Sequence, residues 1–191
     1  MASRDTDVAD IQLNQVLASL VQMDAIGKLV RRWSHVSDRA AVPTCLLEGI
    51  LVSVESAADR LSHSLDEASR LTNDIKVATS KPFVVPPSML PTEFSELLAG
   101  TNLRLEGIGL ILSVAGNAVL NLFQSDMLFH ILGLDVKSRQ SFAKNMLSVS
   151  DTCIDFCDQH SVVNDVMAWL RYENFLLTLN CCGYASKCVC L

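Results

Sequence analysis

A chain of 191 residues, half of them hydrophobic, is long enough for one domain with a real core and too apolar for general disorder. Its formal net charge of −6 opposes a phosphate backbone, so direct nucleic-acid binding is not expected. Aromatic residues make up 6%, which leaves Leu, Val and Ala to supply the apolar surface and suits helices packed along stripes.

The first ten residues, MASRDTDVAD, are polar and contain no apolar h-region, so they are not a secretory signal. Residues 1–7 are expected to be disordered. From Val8 to about Trp33, apolar residues recur at helical spacing: Leu13, Val16, Leu17, Leu20, Val21, Ile26, Leu29 and Val30. Lys28 and Arg31 fall near the end of this helix, where cations oppose the macrodipole. With Arg32 they form the one basic cluster, read as a solvated helix face. After the polar break HVSDRA, a second helix is expected from near Pro43 to about Lys76. Its stripe is Leu46, Ile50, Val54, Ala57, Leu61 and Leu65. The two helices predict a long helical hairpin over residues 8–80.

Residues 81–91, KPFVVPPSMLP, hold four of the five prolines and read as a linker between two halves. The second half spans 92–182. Thr92 is a candidate N-cap, with Glu93 and Glu96 in the first turn. The stretch from Gly107 to Phe123 carries no charge. Ser113, Asn117, Asn121 and three glycines dilute it, so a buried helix is the reading preferred to a membrane span. Gly109 and Gly116 lie about two turns apart and would let a neighbouring helix approach. Helices over Ser138–Gln159 and Val162–Cys181 complete the series, and 183–191 reads as an irregular tail. No strand alternation or repeat is present. The predicted fold is all-α, a bundle-like array of about five to seven helices.

Chemistry-bearing patterns are few. Seven cysteines are present, four of them in the last eleven residues. Without a signal segment the expectation is a reduced, intracellular protein. Cys153, Cys157 and His160 share a spacing of i, i+4, i+7, but structural zinc takes four ligands, so these read as packing residues. A thiol- or metal-dependent enzyme around them is the third-ranked reading. The final four residues, Cys188-Val189-Cys190-Leu191, have the form of a prenylation box with Cys188 as acceptor. The alternative reading is therefore a prenylated peripheral membrane protein, although no polybasic run precedes the box. No nucleophile elbow, phosphate loop, dinucleotide fingerprint or zincin motif occurs. No enzyme activity, catalytic residue, cofactor or metal ligand is assigned.

The segment NDVMAWLRYENFLLT carries the recognition candidates. Asn164 and Asp165 read as N-terminal caps. Trp169, Tyr172 and Leu176 share one predicted face, which Leu170 and Phe175 widen. Core packing is the leading role for this face, and a partner groove is the alternative.

Two strings, PPSMLPTEFSELLAGTNLRLEGIGLI and SDTCIDFCDQHSVVNDVMAWLRYENFLLTLNCCGYAS, resemble the regulatory region of fungal-specific transcription factors. Looser similarity runs from Leu13 to Leu61. In that family a six-cysteine binuclear zinc cluster binds DNA and a long all-α regulatory region follows. The resemblance implies a nuclear protein of transcription regulation that acts through protein–protein contacts or self-association. Two departures matter. The cysteines at 45, 153, 157, 181, 182, 188 and 190 cannot build the zinc cluster, so no DNA-binding residue carries over. After Gly183-Tyr184-Ala185-Ser186 the family pattern continues into a further helix, whereas this chain turns to KCVCL, which implies a truncated product.

Overall fold

The structure is a computed structural model that describes residues 2–36, 42–83 and 85–183. Helix accounts for most of the described residues, which contain no strand. Seven α-helices of fourteen residues or more, with two short ones, make the fold all-α.

The first apolar repeat forms α1 (Ala2–Ser19) and α2 (Met23–Val36), separated by a 3-10 turn at Leu20–Gln22. Ser19 sits at the break. Its buried Oγ donates to the Val16 carbonyl at 2.6 Å and competes with the helical ladder. The helix begins at Ala2, ahead of the expected start near Val8. The second repeat is also divided, into α3 (Thr44–His63) and α4 (Leu65–Ser80). Ser64 is extended (φ −162°, ψ 157°), and its Oγ accepts from the Glu67 N–H at 3.1 Å. A side-chain cap stabilises a new helix start there, so one helix becomes two. The expected pair of long helices is thus four shorter ones.

Lys81 to Leu90 is irregular, as its prolines require, but it is anchored: Phe83 and Met89 pack against the core. Thr92 is not an N-cap. It lies inside the four-residue α5 (Pro91–Phe94), and Glu93 accepts from the Leu90 N–H at 3.0 Å. Two 3-10 turns, Ser95–Leu98 and Gly100–Asn102, replace the helix expected there. Then come α6 (Leu105–Asn121), α7 (Met127–Ile131), α8 (Val136–Gln159) and α9 (Asp165–Cys182). Asp135 starts α8 through a reciprocal capping box with Ser138, at 2.6 and 2.7 Å.

Helix α6, uncharged after Glu106 in its first turn, is the axis of the fold. Every residue from Leu105 to Val119 is buried, and α2, α3, α8 and α9 pack around it. A predominantly apolar helix that is buried on all sides has this use in a protein core. Among the described residues, no helix is long and apolar enough to cross a membrane. The two glycines act as anticipated. A Cβ at Gly109 would stand 2.9 Å from Cys153 Cβ and 3.0 Å from Leu170 Cδ2. One at Gly116 would stand 2.6 Å from Leu177 Cδ2. Both glycines admit α8 and α9 to close range. One continuous apolar core joins residues on both sides of the 81–91 segment.

Candidate functional site

Helix α9 was the candidate recognition element, and its cap is as expected. Asn164 is the N-cap: its Oδ1 accepts from the Met167 N–H at 2.9 Å, with Asp165 in the first turn. Its faces are not as expected. The buried side consists of Val166, Met167, Leu170 and Leu177 together with two polar residues, Glu173 and Asn174. Tyr172 and Phe175 are each 46% exposed on the other side. Leu170 and Phe175 therefore do not share a face. Trp169 is half-buried against the core, with its ring 6.1 Å from Phe94, and Leu176 is also half-buried. The correction has a simple physical basis. A helix has one core-facing stripe about 100° wide, and Leu170 fixes its direction. Residues two positions later or five positions later then point elsewhere.

The polar residues on the buried side are satisfied. Asn117 of α6 donates to the Glu173 carbonyl oxygen at 2.9 Å and to its Oε2 at 3.1 Å. Asn180 donates to Asn117 Oδ1 at 3.1 Å. Asn174 donates to Ser150 Oγ and to Asp151 Oδ1 at 2.9 and 2.8 Å. These bonds fix the register of α9 on α6 and α8, because a slide by one residue would leave several buried polar groups unpaired. Burial pushes the Glu173 carboxyl up from its ordinary value, while the bond from Asn117 opposes that shift. Glu173 and Asn174 were not singled out from the sequence. Their signal was positional, since they stand three and four residues after Leu170.

A second polar cluster joins four helix ends. Arg104 is the N-cap residue of α6, and its guanidinium donates to the carbonyls of Ala78, Thr79 and Lys81 at the end of α4. It thereby satisfies acceptors that a helix C-terminus leaves open. Its Nε bonds Glu106 Oε1 at 2.5 Å. Asn164, the cap of α9, donates to the same oxygen at 2.9 Å. Cys157 of α8 lies 3.9 Å from Glu106 Oε2. The cluster is structural in its chemistry: each charged group is already bonded within the chain.

Cys153 and Cys157 are fully buried, and burial is the main cause that pushes both thiols far above their ordinary value, with the Glu106 charge adding to it. Thiols held protonated are poor nucleophiles and poor metal ligands. The His160 ring stacks on Phe156 with centroids 4.4 Å apart. Among the described residues, no group of three or more His, Cys, Asp or Glu could hold a metal ion. The basic cluster is distributed over three ion pairs: Lys28 with Asp24 at 2.7 Å, Arg31 with Glu55 at 2.6 Å, and Arg32 with Asp126 at 2.7 Å. Cys188 and the rest of the 184–191 tail lie outside the described residues.

The fold and the site together define an all-α protein whose α9 polar contacts are structural and whose α9 also carries two half-exposed aromatic residues, Tyr172 and Phe175. No protein-family model, curated protein or solved structure matches the chain.

Proposed function

We propose that the chain is an interaction module of a transcription regulator, acting in the nucleus through protein–protein contacts made by the outer side of α9. One observation carries the interaction part: besides its apolar core side, the helix carries two aromatic residues on its outer side. It buries Glu173 and Asn174 and leaves Tyr172 and Phe175 nearly half exposed. The buried polar pair is hydrogen-bonded and serves the core, whereas the exposed aromatics add no core packing and present surface to a contact outside it. Exposed aromatic residues are also the type that anchors protein interfaces. The transcriptional setting rests on the resemblance of the Pro86–Ile111 and Ser150–Ser186 strings to fungal regulatory regions.

The test is a reporter assay. The full chain, fused to a heterologous DNA-binding domain, should change transcription from a promoter carrying the matching site. The double variant Tyr172→Ser, Phe175→Ser should lose that change while keeping its helical circular dichroism and its melting transition. An unchanged reporter with the intact chain, or an equal effect from the folded double variant, would sink the reading.

A further inference from the structure

A cleft of about 580 Å³ opens where the two helix interruptions face each other. One wall is the end of α1 and the 3-10 turn at Leu20–Gln22; the other is the junction of α3 and α4 around Ser64. The backbone leaves the helical path at the extended Ser64, whereas the Leu20–Gln22 turn keeps right-handed helical angles at Ser19 and Met23. The volume falls in the range of small-molecule sites, about 300–1,000 Å³.

The lining has a clear division. Leu17, Leu20 and Met23 are buried and form an apolar floor, with Leu61 and Ala68 half-buried at its sides. Two carboxylates, Asp24 and Asp59, stand in the lining, and among the described residues no Lys, Arg or His lines the cleft. Asp24 is already engaged by Lys28 at 2.7 Å. The Asp59 carboxylate has no ion-pair or hydrogen-bond partner among the described residues, although its backbone carbonyl accepts from Ser62. Ser62 and Thr72 on the same wall spend their hydroxyls on the Asp59 and Ala68 carbonyls, and the Asn14 amide stands on the opposite wall. The cleft therefore offers an apolar cavity with one uncommitted negative charge at its mouth.

We infer that this cleft binds an amphiphilic cation: an apolar body seated over Leu17, Leu20 and Met23, with a protonated amine against Asp59. Charge complementarity selects the class. An anionic amphiphile would meet Asp59 and Asp24 with no cation in the lining to pair with. A neutral one would gain the apolar contact alone. The site shares no residue with α9, so it stands independently of the role proposed for that helix.

The experiment is calorimetric titration of the full chain with three ten-carbon probes below their aggregation concentrations: decylammonium, decanoate and decanol. Decylammonium should bind saturably at one site and more tightly than either of the others. Asp59→Asn should weaken decylammonium binding by about two- to fivefold, the range of an exposed ion pair, and leave decanol binding unchanged. Ala68→Phe, which fills the cleft, should abolish binding of both. The methyl resonance of Met23 should shift on titration of the wild type. The inference is overturned by an absence of saturable decylammonium binding, by equal affinity for all three probes, or by an Asp59→Asn variant that binds as the wild type does. Should Ala68→Phe fail to fold, the Asp59→Asn comparison and the Met23 signal still decide the matter.

Discussion

Arg104 and Glu106, two residues apart at the start of α6, form a buried ion pair at 2.5 Å that also holds the end of α4 and the cap of α9. Removing one partner leaves the other charged and out of water. Glu106→Ala should therefore cost about 3–5 kcal/mol in denaturant unfolding. The double variant Arg104→Met, Glu106→Ala should be less destabilised than the sum of the single changes by at least about 1 kcal/mol. Strict additivity would show that the two charges act independently.

Glu173 should make stability fall with rising pH. Its folded-state carboxyl is raised above the ordinary value of 4.5 by burial. Between those two values the folded chain holds the proton more often than the unfolded chain. The contribution is thus fully present below about 4.5 and is lost as pH rises through the folded value. Glu173→Gln keeps an acceptor for Asn117 and removes the charge. It should stabilise the protein at pH 7, with the gain vanishing near pH 4. Melting temperatures across that interval check this, and a pH-independent loss would contradict it.

The two close-approach glycines should differ in cost. At Gly109 a methyl group meets Cys153 Cβ at 2.9 Å, an atom fixed to the α8 backbone. At Gly116 the nearest atoms, at 2.6 and 2.9 Å, are the terminal methyls of Leu177, and the Cβ of Met146 stands farther off at 3.2 Å. Ala also gains about 1 kcal/mol over Gly in helix propensity. Gly109→Ala should be destabilising by about 1–3 kcal/mol, and Gly116→Ala should lie within about 1 kcal/mol of wild type. Equal losses at the two positions would mean that Leu177 cannot move aside.

Thiol labelling separates the cysteines. Cys45 is exposed, whereas Cys153 and Cys157 are buried and held protonated. Iodoacetamide at pH 8 should modify Cys45 in the native protein and reach Cys153 and Cys157 only after denaturant unfolds it. Peptide mass spectrometry gives the readout. Native labelling of Cys157 at the rate of Cys45 would mean that α8 opens readily.

Truncations along α9 should rank by face. Leu170 is fully buried and Tyr172 is 46% exposed. Leu170→Ala should cost about 2–5 kcal/mol. Tyr172→Ala should cost less than about 1 kcal/mol, as surface changes generally do. The reverse order would restore the core role first read for Tyr172.

The sequence by itself determined the all-α class, the buried use of Gly107–Val119 though not of the exposed Phe123, the spacing role of Gly109 and Gly116, and the Asn164 cap. Each is local or compositional: an uncharged run, a small residue, an Asn before an apolar repeat. The break at Ser64 was legible too, because Ser-Leu-Asp-Glu has the spacing of a capping box, but an unbroken apolar stripe concealed it. Only the tertiary structure decided which side of α9 faces inward. Periodicity gives the width of an apolar stripe, not its partner, and α9 has apolar residues on more than one side. Its direction is set by Leu170 against Gly109, Leu177 against Gly116, and the bonds from Asn117 to Glu173. Those contacts join residues more than fifty positions apart, and no local pattern encodes them.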